Sequence, residues 1–210
     1  MKKKGILIII SGFSGAGKGT VVKELMKKGD YTLSISATTR PAREYEAHGR
    51  EYFFESRDRF ESMIANNALI EWACYCENYY GTPKQFVEEQ MAQGKDVILE
   101  IEMQGALNVK EQYPDSVLVF ITAPKARDLK ARLEGRGTES QDIINKRLNR
   151  SYEETAVMDR YDYLVVNDKI VQCVDDIQAI IHAEHKVSKR NKELIHQLRN
   201  EFEELLKGEV

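Results

Sequence analysis

The apolar run ILIII at residues 6–10, followed after Ser11 by GFSGAGKGT at residues 12–20, constrains the fold more than any other stretch. Its pattern predicts a buried strand that turns through a glycine loop into a helix. The glycines let backbone N–H groups turn inward around phosphate oxygens, and the helix that follows offers its positive N-terminal end to them. Gly12, Phe13, Ser14, Gly15, Ala16, Gly17, Lys18, Gly19 and Thr20 therefore form a candidate cradle for a phosphate chain, with Lys18 reaching its outer members. Gly19 stands where a hydroxyl residue normally meets magnesium, and Thr20 comes one position later. That leaves Thr20 open to three roles: metal contact, α-phosphate contact or helix cap.

Further apolar, β-rich runs follow as TLSIS, DVILEIE, SVLVFIT and YDYLVV, with helically spaced stretches between most of them. Near-continuous apolar strands separated by helices imply a parallel sheet covered on both faces. The expected fold is α/β, a P-loop three-layer sandwich with a parallel core sheet. Its 210 residues suit one domain, with a core from 1–37, 81–125 and 160–188. Short aromatic pieces interleaved with charge between 38 and 80 suggest a small β-rich lobe. The arginine-rich helical segment 126–159, broken by GRGTES, suits a mobile lid, and 189–210 forms a helical tail. The strand VILE ends in Glu100, the arrangement by which such folds hold Mg2+ through water, and strand periodicity puts Glu102 on the same side.

A net charge of −3 gives no reason to expect nucleic-acid binding. The opening MKKKGILIII imitates a secretion signal, but its apolar part falls short of the roughly 7–15 residues such a signal needs. No stretch approaches the roughly 20 apolar residues of a membrane helix. Cys74, Cys76 and Cys173 cannot all pair with one another and read as reduced thiols of a cytoplasmic protein. In the tail, Leu194, Leu198, Phe202 and Leu205 form a stripe. It either pairs with a partner subunit, giving a homo-oligomer, or belongs to a helix docked on its own core or frayed; the second is the simpler expectation. His182, His185 and His196 lie on the same polar stretch and need no metal.

A second anion grip is legible in SATTRPAREYEAHGREYFF at residues 36–54, where Arg40 and Arg43 flank Pro41 and Arg50 and Tyr52 follow. Paired guanidiniums and a phenol hydroxyl suit a phosphate monoester. Here the chain resembles the guanylate kinase family. Thr38, Thr39, Arg40, Arg43, Glu46, Gly49, Tyr52 and Phe54 fill the family's signature, and the likeness extends through LIEWACYCENYYGTP, ILEIEMQGA, RGTES and VVND.

The resemblance implies ATP and GMP as substrates and Mg2+ as cofactor. It implies that Arg40, Arg43, Tyr52 and Tyr80 hold the GMP phosphate, and that Ser36, Glu71 and Thr82 hold the guanine. Glu102, where the family commonly has Asp, would also serve base recognition. Arg132, Arg136 and Arg147 would act with Lys18 on the transferring group as lid residues, and Asn167 would contact adenine. Guanine's edge offers N1–H and the N2 amine as adjacent donors that one carboxylate accepts together, which adenine cannot do. Two rival readings remain at this point: a kinase for another monophosphate or a phosphorylated ribose, and a non-catalytic module of guanylate-kinase type that binds phosphopeptides.

Overall fold

The computed structural model describes residues 4–75, 77–135, 137 and 140–208. Five parallel strands form its main sheet: β1 (Leu7–Gly12), β2 (Tyr31–Leu33), β7 (Asp96–Glu100), β8 (Val117–Thr122) and β9 (Tyr163–Val166), in the order β2-β7-β1-β8-β9. β1 lies at the centre, with Ile8 opposite Ile98 on one neighbour and Val117 on the other. Ile8, Ile9 and Ile10 are inaccessible to solvent, and burying each contributes about 1.5–3 kcal/mol.

Helices cover both faces of this sheet: α1 (Lys18–Leu25), α3 (Lys84–Ala92), α4 (Met103–Gln112), α5 (Ala126–Glu134), α6 (Gln141–Glu154) and α7 (Ile170–Glu184) alternate with the strands. α7 illustrates why these stretches are helical. Cys173, Val174, Ile177 and Ile181 recur at steps of one, three and four, and all four are buried on the sheet side.

The connection leaving β1 runs outward to β2, whereas the one leaving β7 runs the opposite way to β8. Between two such strands the C-terminal ends part and leave a crevice, the usual ligand position in open α/β sheets. Gly12 and Glu100 end the two strands that flank it.

The other sheet is built from β4 (Phe53–Phe54), β3 (Ala37–Thr38), β6 (Asn78–Pro83) and β5 (Leu69–Tyr75), in that order. Its core of Ala37, Phe60 and Leu69 is separate from the main one. Phe60 comes from α2 (Arg57–Ala65), a helix inside a segment that reads as strand-rich. Ser56 caps it, its hydroxyl accepting from the Arg59 N–H at 3.1 Å, and Arg57 pairs with Glu61 one turn on at 3.0 Å.

Three expectations need correction. TLSIS is not one strand: β2 stops at Leu33, Ser34 N–H donates to the Ile98 carbonyl, and the chain then crosses to the second sheet at Ala37. Strand periodicity does not reach Glu102 either. β7 ends at Glu100, and Glu102 is the N-cap residue of α4. Finally, the tail is helical but does not dock on the core. α7 ends at Glu184, a turn and a short 3-10 segment (Ser188–Arg190) intervene, and α8 (Lys192–Lys207) follows with no buried residue. Asn191 sets that change of direction, its side-chain amide donating to the carbonyls of His185 and Val187.

Cys74 and Cys173 are free thiols, and Cys76 lies outside the described residues. Among the described residues, no helix is long and apolar enough to cross a membrane.

Candidate active site

The loop between β1 and α1 takes its shape from two glycines. Gly12 has φ 151°, and a Cβ on it would stand 2.1 Å from the Ile121 carbonyl oxygen on β8. Gly17, the N-cap of α1, has φ 88°, and its Cβ would stand 2.8 Å from the Asn167 amide nitrogen. Gly12→Ala is therefore expected to cost about 1–3 kcal/mol or more. A lowered urea midpoint would record it, and an unchanged midpoint would mean that β8 yields freely.

No acid stands in the first turn of α1, and no side chain caps it, so its N–H groups remain for a ligand. Lys18 folds back over the loop, donating to the Gly12 carbonyl at 2.7 Å and to that of Phe13 at 3.5 Å. Lys18 and the helix end thus meet on a cavity of about 460 Å3, lined by most of the loop from Phe13 to Thr20 and by Glu100, Glu102 and Arg147. Arg147 reaches it from α6 and donates to the Ser14 hydroxyl at 2.7 Å. Glu100 stands over Gly19, whose Cβ would lie 3.5 Å from Oε1. The Glu100 side chain is exposed by surface area, yet the strand end and the loop crowd its carboxyl and thin the water around it. That desolvation pushes its pKa upward, with Lys18 opposing and Glu102 adding to the rise.

No cluster of three or more metal-ligating side chains occurs among the described residues. Mg2+ does not require one, since it binds through one or two carboxylates, substrate phosphates and waters. The Glu100 and Glu102 carboxylates beside a phosphate cradle fit that donor set.

Two other predicted residues stand behind the loop. Asn167 is 4% exposed, and its side-chain amide donates to the Ala16 carbonyl at 2.8 Å. Arg132 donates to the Asn167 carbonyl at 2.8 Å and to that of Ala16 at 3.4 Å. Both brace the cradle and do not line its cavity. Arg136 lies outside the described residues.

On the second sheet, Arg40 donates to both carboxylate oxygens of Glu46, at 2.9 and 3.0 Å, and lies over the Tyr52 ring. The Tyr52 and Tyr80 rings are 6.1 Å apart. Glu46, whose side chain is only 4% exposed, also accepts from the Arg43 N–H at 2.8 Å. Its carboxyl is held below the usual range, first by Arg40 and then by that backbone bond. The Arg43 guanidinium is mostly exposed and donates to the Tyr45 hydroxyl. Arg40, Tyr52 and Tyr80 are thus gathered, with Arg43 at the rim.

Glu71 projects from β5, and Thr82 on β6 donates its hydroxyl to Glu71 Oε1 at 2.7 Å. The other oxygen faces Gly105 on α4, where a Cβ would lie at 3.2 Å. Burial pushes the Glu71 carboxyl up, and the Thr82 bond partly offsets this. Ser36 precedes β3, and its carbonyl accepts from Phe53 N–H. α4 joins the two regions: its N-cap Glu102 lines the phosphate cavity, and Gly105, one turn on, packs against Glu71.

The family model described as Guanylate kinase matches residues 4–184. The chain belongs to the guanylate kinase family. A guanylate kinase of Halalkalibacterium halodurans is 50% identical over 94% of this chain and 97% of its own length. One of Caldanaerobacter subterraneus is 48% identical over 96% and 98%. The crystal structure of guanylate kinase from Anaplasma phagocytophilum superposes with TM-score 0.69 at 31% identity, covering 87% of each chain.

Three roles escape motif reading, those of Glu46, Arg150 and Glu154. Glu46 fills a signature position, but its grip on Arg40 is visible only in three dimensions. Arg150 on α6 bridges Glu154 at 3.2 Å and Glu102 at 3.7 Å, tying that helix to the start of α4. For Arg150 and Glu154, sequence signals no more than a possible i,i+4 pair.

Proposed function

We propose that this chain transfers the γ-phosphoryl group of ATP to GMP, giving ADP and GDP by direct in-line displacement. The observation that carries this reading is the Glu71 carboxylate, fixed by Thr82 and seated one helical turn from the phosphate cavity through α4. That carboxylate accepts guanine N1–H and the N2 amine together, while Ser36 and Thr82 complete the base site. Arg40, Arg43, Tyr52 and Tyr80 hold the acceptor phosphate, and Glu46 orients the two arginines. The α1 N-terminus and Lys18 hold the donor phosphates, Arg132 and Asn167 keep the cradle in shape, and Arg147 and Arg136 neutralise charge that develops on the transferring group.

In this reading Glu100 and Glu102 would hold the Mg2+ that accompanies ATP, which would supply charge neutralisation at the phosphates. Thr20 meets the α-phosphate or the metal. The acceptor phosphate is already a nucleophile, so positioning and electrostatics carry the catalysis and no strong base is needed. The segment 38–80 serves as the GMP lobe and 126–159 as the lid. Free thiols at Cys74 and Cys173 fit a cytoplasmic location, and neither nucleic acid nor membrane has a part in this reaction.

ATP labelled in its γ-phosphate should pass the label to GDP in a single turnover, with no label retained on the protein. Label released only as inorganic phosphate, or bound covalently, would contradict direct transfer.

A pH dependence follows from Glu71. Because burial raises its pKa, it takes up a proton at a higher pH than an ordinary glutamate does, and the protonated form no longer accepts both guanine donors. KM for GMP should therefore rise as pH falls through that raised value, beyond the rise caused by titration of the GMP phosphate itself. The Glu71→Gln variant isolates the phosphate contribution. Identical profile shapes for the two proteins would remove Glu71 from the base site.

A further inference from the structure

Two arginines on α6 reach the core on two sides of the phosphate cavity. Ile144 and Ser151 are the buried residues of this helix, and Arg147 and Glu154, each three residues beyond one of them, share that inward face. Arg150 stands one turn beyond Arg147, on the flank of the same face. Arg147 donates to Ser14 on the loop at 2.7 Å, whereas Arg150 lies 3.7 Å from the Glu102 carboxylate at the start of α4. The family likeness gives roles to Arg132, Arg136 and Arg147, and it gives none to Arg150.

Both ends of the Arg150 contact are prepared. Glu102 occupies the N-cap of α4, but its side chain makes no capping hydrogen bond, so the carboxylate is open to a partner on α6. On the other side Arg150 Nε donates to Glu154 Oε1 at 3.2 Å, and the Glu154 side chain is only 13% exposed. That anchored carboxylate restrains a long side chain that otherwise samples many rotamers. Burial pushes the Glu154 carboxyl up, Arg150 opposes the rise, and Glu102 adds to it, so the two acids repel and the guanidinium offsets them.

We propose that, in the GMP phosphorylation set out above, Arg150 is a positioning residue: by clasping Glu102 it sets how closely α6 approaches α4, and so where Arg147 meets the transferring group. This role rests on that reaction being the one the chain performs. At 60% and 66% exposure the two side chains are screened by water, and their pairing adds little to the stability of the whole chain. It still biases α6, because a lid whose open and closed positions lie close in energy responds to a weak contact. Substrates that displace water from the cavity strengthen the pair further. Arg150 itself touches neither substrate. A misplacement of about 1 Å is enough to slow a reaction about 100-fold, so the effect belongs in kcat and not in Tm.

Arg150→Ala should lower kcat about 10- to 100-fold, with Tm unchanged and KM for ATP and GMP within about threefold of wild type. The contact with Glu102 is a single ion pair and not a bidentate fork, so Arg150→Lys should restore kcat to within about threefold of wild type. Because Arg150 acts through Glu102, adding Arg150→Ala to Glu102→Gln should cost no more than about a further twofold. Unchanged kcat in Arg150→Ala, a loss confined to KM, failure of lysine to rescue, or additive losses in the double variant would overturn the proposal. Spin labels at the exposed positions Asn108 on α4 and Asn145 on α6, attached through a ketone-bearing amino acid that spares the native thiols, read the geometry without turnover. Their distance distribution should be longer and broader in Arg150→Ala, and identical distributions would count equally against the role. Were the wild type inactive on GMP, the reaction itself would fall, while these distances would still decide whether Arg150 holds α6 to α4.

Discussion

Lys18→Ala is expected to lower kcat by about two to three orders of magnitude, the usual effect of removing one preorganised donor from developing charge. The ammonium sits inside the loop, bound to the carbonyls of Gly12 and Phe13. Moving from those carbonyls to a phosphate oxygen replaces dipoles by a full negative charge, so its contribution grows as charge shifts onto the transferring group. The loop should keep its fold without the lysine, because Arg132 and Asn167 hold it through Ala16 from behind. GMP affinity, measured by calorimetry without ATP, should therefore be unchanged. Near-wild-type turnover would show that the loop amides suffice without a lysine. Loss of GMP binding along with turnover would mean that the variant had disturbed the fold.

Glu71→Gln is expected to raise KM for GMP by about 10- to 100-fold and to leave KM for ATP within about twofold, since hydrogen bonds to a charged group contribute roughly 1.5–3 kcal/mol. The neutral amide keeps the size of the carboxylate and can still accept from Thr82. It loses one acceptor, however, and turns an N–H2 toward a base edge that itself consists of donors. Tm should hold or rise slightly, because burial disfavours the native carboxylate, and this separates a binding defect from a folding one. Equal losses for GMP and ATP would contradict the assignment to the base.

The phosphate cradle was legible because its information is local: a strand, four glycines and a lysine at fixed spacing. The main sheet was legible for the same reason, each of its five strands arising from one apolar run. Glu71 shows the opposite case. Beside Trp72 on a strand it reads as an ordinary surface charge, and only Thr82, eleven residues on, and Gly105, on another element, turn it into an enclosed acceptor. Arg132 and Arg147 look alike in sequence, yet tertiary packing sends one behind the loop and the other into the cavity. Strand periodicity overran at Glu102 because nothing local announces that the chain turns into α4. α2 had its Ser56 cap and the spacing of Phe60, Met63 and Ile64, but short aromatic strands on either side obscured them. For α8, the hydrophobic spacing was visible and the direction was not, since that depends on how Asn191 closes the preceding turn.

The central claim is that one chain holds a triphosphate and a guanine monophosphate on either side of the first turn of α4. Rates of ADP release with ATP and either GMP or AMP as acceptor test it most directly. A site built to hydrogen-bond one base edge should favour GMP by about 10⁴ or more in kcat/KM. Comparable values for GMP and AMP, or ADP release that needs no acceptor, would contradict it.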